Sequence, residues 1–361
     1  MKILISKFRS IGDVILLSPL ITNLKSNYPE AKVDLIINKG TEALVKHNPL
    51  VNNIILHDRA KLKSLPVLKR IKEEFNTLKL IRKTKYDIVI STDRGDRGAQ
   101  IAYFSKANIK IGRPGGKSFF SRRAFTDYFS FHGERHVIDL NLDPIKILGK
   151  EIYTKGLNVH WNIEDSEVAN NYTHGLGGFI HIHPVSQCMY KCIDDKLMAK
   201  IIDYCELELG IKVIITAAPV KQELDRVKKI LSYAHSMPLN LSGKITLLET
   251  AAINKLSLML LVVDTAVMHI ATANDIPTLA FFGPTAVNNW GPWDKTKIKS
   301  DYIRGGGLQI HGKHRVLMED KSCLPCSNLG CDNSGISNCL NSLSLDVIKE
   351  QIRLVVNGKK N

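Results

Sequence analysis

The chain of 361 residues has no apolar run near the ~18 residues that a membrane-spanning helix needs. Its longest apolar runs, such as residues 258–263, have the length of a single strand. The first residues form an apolar strand pattern with a lysine inside it and lack the layout of a signal peptide. We therefore expect a cytoplasmic protein, and its length favours two domains over one.

Two nucleotide-binding motifs are missing, and so is an even number of cysteines. Neither half carries G-x-G-x-x-G after its first strand, and G-x-x-x-x-G-K-[ST] occurs nowhere, so nicotinamide-dependent and P-loop chemistry are disfavoured. The 7 cysteines are an odd number, which argues against a disulfide framework in a cytoplasmic chain.

Acidic residues are few relative to basic ones. The chain has 50 Lys and Arg against 35 Asp and Glu, a formal net charge of +15, and many basic residues lie between 61 and 85 and between 113 and 123. Such an excess indicates an acidic partner: nucleic acid, an anionic membrane surface or a phosphorylated substrate. A nucleic-acid-binding protein is a distant alternative, because the sequence offers no aromatic stacking platform and no recognised binding module.

Short strands rich in Ile and Val alternate with helical patterns through most of the chain. The pattern runs from residue 2 to 112, gives way to a helix near 136–148 and a predicted linker over 149–178, then resumes to residue 282. This alternation predicts parallel sheets with right-handed crossovers. We predict an α/β fold with two doubly wound Rossmann-like domains facing a central cleft. The predicted boundaries are 1–160, 161–343, and 344–361 for a C-terminal helix and tail.

Residues 8–13, F-R-S-I-G-D, join the first strand to the first helix. In open α/β sheets, ligands bind at the carboxyl ends of strands, where helix N-termini present unpaired N–H groups. Gly12 would allow a tight turn. Asp13 either caps the helix as a plain N-cap residue or faces the cleft as a general base, and the sequence leaves both readings open.

Polar residues follow three strands of the second half in the same way. Lys191 comes just before a helix and could reach a bound phosphate, the alternative being a surface lysine. Asp264 and Thr265 leave an apolar strand, and His269 follows one helical turn later, as a ligand contact or as a packed helix residue. Gly283 opens a turn after the next strand.

In their order, these motifs resemble those of the bacterial lipopolysaccharide heptosyltransferases, glycosyltransferase family nine, which have an inverting GT-B architecture. The resemblance covers nearly the whole chain and rests on F-R-S-I-G-D-V-I-L-L-S-P-L, P-V-S-x-x-x-Y-K, D-T-A-V-M-H-I-A and F-F-G-P-T. Within the family the sequence is most similar to the heptosyltransferase III branch, which adds a side-branch heptose to a heptose of the inner core. The nearest alternative is a transferase of the same fold that uses another nucleotide sugar.

The resemblance implies ADP-heptose as donor and a phosphorylated lipopolysaccharide inner core as acceptor. It also implies a peripheral enzyme at the cytoplasmic face of the inner membrane that needs no cofactor and, lacking a D-x-D motif, no metal for transfer. Asp13 matches the proposed catalytic base. Donor-binding matches are Ser186, Lys191, Glu223 (or Gln222), Asp264, Thr265, Ala266, His269 and Gly283. Expected acceptor-binding residues are Arg9, Gly12, Arg97, Arg122 and Arg123. The chain departs from the family pattern at Val185, Gln187, Cys188 and Ile193.

Four cysteines crowd one late segment over 323–339. Cys323, Cys326, Cys331 and Cys339 give the spacing C-x₂-C-x₄-C-x₇-C. Four converging thiols could bind a structural zinc ion tetrahedrally, and the alternative is reduced thiols in a packed loop.

Overall fold

The computed structural model describes residues 1–113, 118–129 and 134–358. The chain divides into two compact units, Met1–Lys155 and Gly156–Asn361. The division follows Lys155, against a predicted boundary after residue 160, and the C-terminal helix belongs to the second unit. None of the helices in the described ranges combines the length and apolarity that a membrane crossing requires.

The first unit contains a six-stranded parallel sheet. Its strands are β1 Lys2–Lys7, β2 Lys32–Asn38, β3 Asn53–His57, β4 Ile88–Ser91, β5 Ile109–Gly112 and β6 Asp127–Tyr128. They lie in the order β3-β2-β1-β4-β5-β6. The central strand β1 is buried from its second residue onward, because helices cover both faces of a doubly wound sheet.

Short helices connect these strands. They are α1 Ile11–Ile15, α2 Ser18–Asn27, α3 Arg59–Ser64, α4 Val67–Thr84, α5 Asp96–Ser105, α6 Phe119–Arg123, α7 Val137–Asn141 and α8 Asp143–Ile147, with a 3₁₀ turn at Glu42–Leu44. A single helical pattern over 61–84 is broken into α3 and α4, because Pro66 forces Leu65 into an extended conformation.

The second unit contains a seven-stranded sheet. Its strands are β7 Phe179–His183, β8 Lys212–Ile215, β9 Leu239–Asn240, β10 Met259–Val263, β11 Thr278–Phe282, β12 Gly307–His311 and β13 His314–Met318. They lie in the order β12-β13-β11-β10-β7-β8-β9. The pairings are parallel except for the antiparallel β12–β13 hairpin at one edge, which the sequence pattern did not predict.

Its helices include one where a linker was predicted. They are α9 Ile163–Thr173, α10 Asp195–Asp203, α11 Lys221–Leu231, α12 Leu247–Leu256, α13 Ala266–Ala273, α14 Val287–Trp290, α15 Asn338–Asn341 and α16 Leu345–Gly358. The linker prediction over 149–178 is wrong at α9. Asn162 and Asp165 form a capping box that starts this helix, and its Ala169 packs in a core cluster with Ala252 of α12.

Both sheets share one topology. The first strand of each unit is central, the next two strands lie on one side, and the fourth lies on the other. The strand order therefore reverses between β1 and β4 and again between β7 and β10, and ligands of doubly wound folds bind at the carboxyl ends of the strands at such switch points. The predicted class, an α/β chain with two doubly wound Rossmann-like units, is confirmed.

Candidate active site

The switch point of the first unit brings together one lysine and two aspartates. Lys7 ends β1, Asp13 lies in the first turn of α1, and Asp93 follows β4. The Lys7 Nζ atom is 3.3 Å from Asp13 Oδ1 and 3.4 Å from Asp93 Oδ1. These side chains are 4%, 11% and 7% exposed, respectively, so their charges are screened less than those of a surface ion pair.

The Asp13 carboxylate accepts a side-chain hydrogen bond but does not cap helix α1. Ser10 is the N-cap residue of α1, and its hydroxyl donates to Asp13 Oδ2 at 2.8 Å. The plain N-cap reading of Asp13 is therefore wrong. Gly12 lies inside α1 and is not among the residues with positive φ, so it does not form the tight turn that was predicted.

Asp93 fixes the loop that leads from β1 to Asp13. The backbone N–H of Phe8 donates to Asp93 Oδ2, and the Asn38 side-chain amide donates to the Phe8 carbonyl at 2.9 Å. Neither Lys7 nor Asp93 was singled out from the sequence. Both stand at the carboxyl end of a predicted strand, which is the signal that could have found them.

Three arginines lie next to this cluster. The Arg9 Nε atom is 3.9 Å from Asp93 Oδ1, and the Arg9 side chain is exposed. Burial lowers the pKa of the Arg113 guanidinium, and the nearby charges of Arg94 and Arg9 lower it further, while Asp93 opposes them. The guanidinium groups of Arg9, Arg94 and Arg113 therefore share one region, and such a group can bind phosphate or carboxylate oxygens.

The other predicted acceptor residues lie on α5 and α6. Arg97 forms a two-point ion pair with Glu74 of α4, in which Nη2 is 2.6 Å from Oε1. The Arg123 guanidinium carbon lies 5.0 Å from the centre of the Phe119 ring, and Arg122 is exposed beside it. Of the four predicted arginines, Arg9 is the one with an ion pair to the Lys7–Asp13–Asp93 cluster, and the roles of the others stay predictions.

The switch point of the second unit also holds a lysine–aspartate pair. Lys191 ends a 3₁₀ turn, Met189–Lys191, after β7, and Asp264 follows β10. The Lys191 Nζ atom is 2.7 Å from Asp264 Oδ2. Burial alone would lower the pKa of Lys191. The charge of Asp264 and its hydrogen bond outweigh that effect and raise the pKa above its usual value. Lys191 is therefore a cation held at the edge of the sheet.

Side chains from distant segments hold the backbone on both sides of Lys191. The Arg226 guanidinium of α11 donates to the carbonyls of Ile193 and Met189 at 2.8 and 3.4 Å. The Ser337 hydroxyl, buried just before α15, donates to the Tyr190 carbonyl at 2.6 Å. These contacts fix where Lys191 stands, and neither Arg226 nor Ser337 was predicted.

The start of α13 lies directly after Asp264. Thr265 is its N-cap residue, in an extended conformation and without a side-chain cap, and Ala266 is its first residue. The N–H groups at a helix start attract an anionic group, and the diphosphate contact of Thr265 and Ala266 stays a prediction. His269 is buried one turn further along the helix.

Three other predicted donor residues have structural roles that are visible in the fold. The Ser186 hydroxyl accepts the backbone N–H of Cys188 at 3.3 Å. The Glu223 carboxylate, in the first turn of α11, accepts the backbone N–H of Ala218 at 2.9 Å, and burial raises its pKa. A Cβ on Gly283 would lie 2.9 Å from the Leu340 side chain, so a larger residue there would force Leu340 to shift. Gln222, the alternative to Glu223, is exposed.

The four cysteines of the late segment lie near one another without forming a metal-ligand cluster among the described residues. Burial raises the pKa of the Cys339 thiol, and Cys331, Cys326 and Cys323 are close enough to raise it further. All four thiols are free, and within the described ranges no three His, Cys, Asp or Glu side chains are placed to hold a metal ion. The geometry therefore gives the zinc hypothesis no support, and no chemical step is assigned to a metal there.

Two doubly wound units in one chain, each with charged side chains at its switch point, match the fold of the GT-B glycosyltransferases. The chain belongs to glycosyltransferase family 9 (heptosyltransferase), whose family model matches residues 75–305. It is thus a glycosyltransferase, and the resemblance read from its motifs is confirmed.

Individual relatives agree with this family. The lipopolysaccharide heptosyltransferase 3 of Escherichia coli is 27% identical over 301 residues, which are 80% of this chain and 85% of the relative. The glycosyl transferase family 9 structure from Veillonella parvula DSM 2008 has a TM-score of 0.81 at 21% identity and covers 99% of this chain and 97% of its own. The structure of E. coli ADP-heptose lps heptosyltransferase II has a TM-score of 0.75 at 15% identity and covers 100% of both chains.

Proposed function

We propose that this chain transfers heptose from ADP-heptose to a heptose of the lipopolysaccharide inner core, as a heptosyltransferase III-like enzyme. One observation carries the proposal. The Lys191–Asp264 pair lies at the switch point of the second unit, on the two segments by which the sequence resembles the family. Family membership and the relative named lipopolysaccharide heptosyltransferase 3 support the same substrates.

The donor is proposed to bind at the second switch point. Lys191 and the N–H groups at the start of α13 meet the diphosphate, while Asp264 accepts hydrogen bonds from sugar hydroxyl groups. The bond between the anomeric carbon and the diphosphate oxygen breaks, and its electron pair leaves with ADP. Lys191 then stabilises the negative charge that develops on the leaving group.

The acceptor hydroxyl is proposed to be activated by Asp13. The carboxylate takes the hydroxyl proton as the oxygen bonds to the anomeric carbon, and the configuration of that carbon inverts. Lys7 and the Ser10 hydroxyl fix the orientation of the carboxylate through the contacts described above. The arginine group of Arg9, Arg94 and Arg113 would bind the phosphates of the inner core. The enzyme works at the cytoplasmic face of the inner membrane in this proposal.

A transferase of the same fold with another donor sugar is the second candidate. The observation that favours it lies beside Lys191. Val185 and Ile193, where the chain departs from the family pattern, are both fully buried packing residues. Side chains that pack in the core cannot supply the polar donor contacts of relatives, so the donor sugar could differ.

The test is ADP release from ADP-heptose with a phosphorylated, heptose-containing core acceptor and EDTA present. We expect release that depends on the acceptor, and inversion at the new glycosidic bond seen by NMR. The absence of a D-x-D motif predicts that EDTA leaves the rate unchanged. No turnover with ADP-heptose, but turnover with another nucleotide sugar, would overturn the donor assignment and favour the second candidate.

A further inference from the structure

Helix α4 exposes large apolar side chains at its start. Val67, Leu68, Ile71 and Phe75 are 59%, 83%, 58% and 64% exposed. Positions 67, 71 and 75 are four residues apart, and 68 adjoins them, so the four side chains form one stripe on the helix surface. Hereafter they are the apolar stripe. A surface helix of a soluble protein normally carries polar residues at exposed positions, so this stripe is unusual.

The apolar stripe adjoins the side of α4 that packs on the sheet, because residues 71, 74, 78 and 81 follow one another at helical spacing. That side carries Leu78 and Ile81, which join the core cluster that contains Val89 of β4. Glu74 lies on the same side and is paired with Arg97. The apolar stripe therefore extends the packing side of α4 beyond the core, to positions where the side chains stay exposed.

Basic residues surround the apolar stripe. The exposed lysines and arginines of α3 and α4 are Arg59, Lys61, Lys63, Lys69, Arg70, Lys72, Lys79, Arg82 and Lys83. The two acidic residues of α4, Glu73 and Glu74, are only half-exposed. Glu73 lies 3.5 Å from Lys61, and Glu74 is held by Arg97. The surface is therefore apolar in its middle and positively charged around it.

This surface lies at the end of the first unit where Asp13 stands. Helix α3 begins just after β3, so the start of α4 lies near the carboxyl ends of the strands. The Glu74–Arg97 pair joins the second turn of α4 to the first turn of α5, which follows β4. The apolar stripe and the candidate base therefore belong to the same edge of the first unit.

We propose that the α3–α4 surface docks onto an anionic lipid bilayer, with the apolar stripe in the interfacial layer and the lysines against acidic headgroups. An apolar stripe beside lysines is typical of helices that lie in the membrane interface. Protein interfaces are depleted in lysine, which disfavours a protein partner for this surface. The inference deepens the proposed function, because docking here would bring a lipid-anchored acceptor to the edge that carries Asp13.

Vesicle co-sedimentation of the full chain tests the proposal. We expect the protein to bind vesicles that contain phosphatidylglycerol, to bind pure phosphatidylcholine vesicles much more weakly, and to dissociate as salt is raised. One variant replaces the stripe (Leu68→Gln, Ile71→Gln, Phe75→Gln), and a second removes charge (Lys69→Gln, Lys72→Gln, Lys79→Gln). Each should lower the affinity for anionic vesicles at least about 10-fold.

A matched control changes exposed apolar residues elsewhere in the chain. Leu207, Ile303 and Leu354 are exposed apolar residues of the second unit, and their combined change to Gln should leave vesicle binding unchanged. Circular dichroism checks that every variant is folded. Equal vesicle binding by the wild type and the stripe variant would overturn the proposal. It would also be overturned if the wild type sedimented as a dimer and the stripe variant as a monomer.

Activity separates this inference from the proposed function. With a delipidated, water-soluble core acceptor, the stripe variant should keep the wild-type kcat/KM, and it should lose activity only on acceptor embedded in vesicles. Vesicle binding without any transfer from ADP-heptose would leave the docking surface standing and overturn the proposed function. Transfer from ADP-heptose without vesicle binding would support the proposed function and overturn the docking surface.

Discussion

The two switch points of this chain use the same residue types in different proportions. In the first unit, one lysine faces two carboxylates, Asp13 and Asp93. In the second unit, one lysine faces a single carboxylate, Asp264. In the first unit a carboxylate can accept a proton, whereas in the second unit Lys191 can exchange Asp264 for a diphosphate. One topology therefore supports two chemistries, and the difference lies in the loops after the strands.

The lysines are also held differently. Lys7 is the last residue of β1, so the sheet itself positions it. Lys191 stands on a 3₁₀ turn beyond β7, and side chains from α11 and from the segment before α15 hold that turn. We expect the first site to depend mainly on its own charges, and the second site to depend also on distant residues.

The largest expected effect comes from removing the candidate base of the first unit. Asp13→Asn keeps the size of the side chain but cannot accept the acceptor proton. The catalytic rate constant should fall at least ~100-fold, the low end of the range for a lost general base. Initial rates of ADP release measure it, and donor binding by calorimetry should not change, because donor contacts are assigned to the second unit.

Asp93→Asn is the matched control for the base. Asp93 accepts the Phe8 N–H and faces the same lysine, so its loss should disturb the loop but remove no base. We expect a smaller loss of rate than for Asp13→Asn. An equal loss in both variants, with both folded, would contradict the assignment of Asp13 as the base.

Weaker effects should follow from breaking the pair of the second unit. Lys191→Gln removes the charge that meets the diphosphate, and a charge-assisted hydrogen bond contributes about 1.5–3 kcal/mol, so ADP affinity should fall roughly 10- to 100-fold. Calorimetric titration with ADP measures it. Asp264→Asn should affect ADP binding less than ADP-heptose binding, because Asp264 is assigned to the sugar. Unchanged ADP affinity in Lys191→Gln would refute the donor site.

The fold was largely predictable, because the alternation of apolar strands and helices repeats wherever a parallel sheet is buried on both faces. The errors in the predicted fold were confined to single elements. Helix α9 is half-exposed with a weak apolar pattern, and its capping box at Asn162 and Asp165 was the available signal. The β12–β13 hairpin lies at a sheet edge, where the alternation of strand and helix stops.

The site was predictable only where charged residues follow strands in familiar motifs. Asp13, Lys191 and Asp264 were predicted, and Asp264 does meet Lys191. Arg226 and Ser337 could not be predicted, because their contacts to residues 189–193 join segments that lie far apart in the sequence. Their positions depend on tertiary packing, which a local pattern does not record.

Buried histidines also predict that the second unit loses stability in acid. In the second unit, burial lowers the pKa of His181 to about 3 and that of His183 to about 4, and both share the Thr216 hydroxyl at 2.8 Å. These folded-state values lie below the ordinary value of ~6.5. Their contribution to stability is therefore complete above about pH 6.5 and is lost as the pH falls toward 4.

Tryptophan fluorescence can follow this loss in the second unit alone. The 3 tryptophans, Trp161, Trp290 and Trp293, all belong to it. Each buried histidine should lower the free energy of unfolding by up to roughly 1.4 kcal/mol per pH unit within that window. Between about pH 6 and pH 5, the free energy of unfolding of the His183→Gln variant should therefore fall less steeply with pH than that of the wild type. A slope equal to that of the wild type would show that His183 does not govern acid stability.

The smallest effect should come from loosening the turn that carries Lys191. Ser337→Ala removes the hydroxyl that donates to the Tyr190 carbonyl at 2.6 Å, and one such hydrogen bond contributes about 1 kcal/mol. The KM for the donor should rise about 5-fold with kcat nearly unchanged. The Ser337→Thr variant keeps a hydroxyl, so its KM for the donor should stay closer to the wild-type value. In a Lys191→Gln background the same change should have little further effect on KM, because Ser337 acts by positioning Lys191. An equal rise in KM in both backgrounds would show instead that Ser337 supports the unit as a whole, and the second switch point would then be as self-contained as the first.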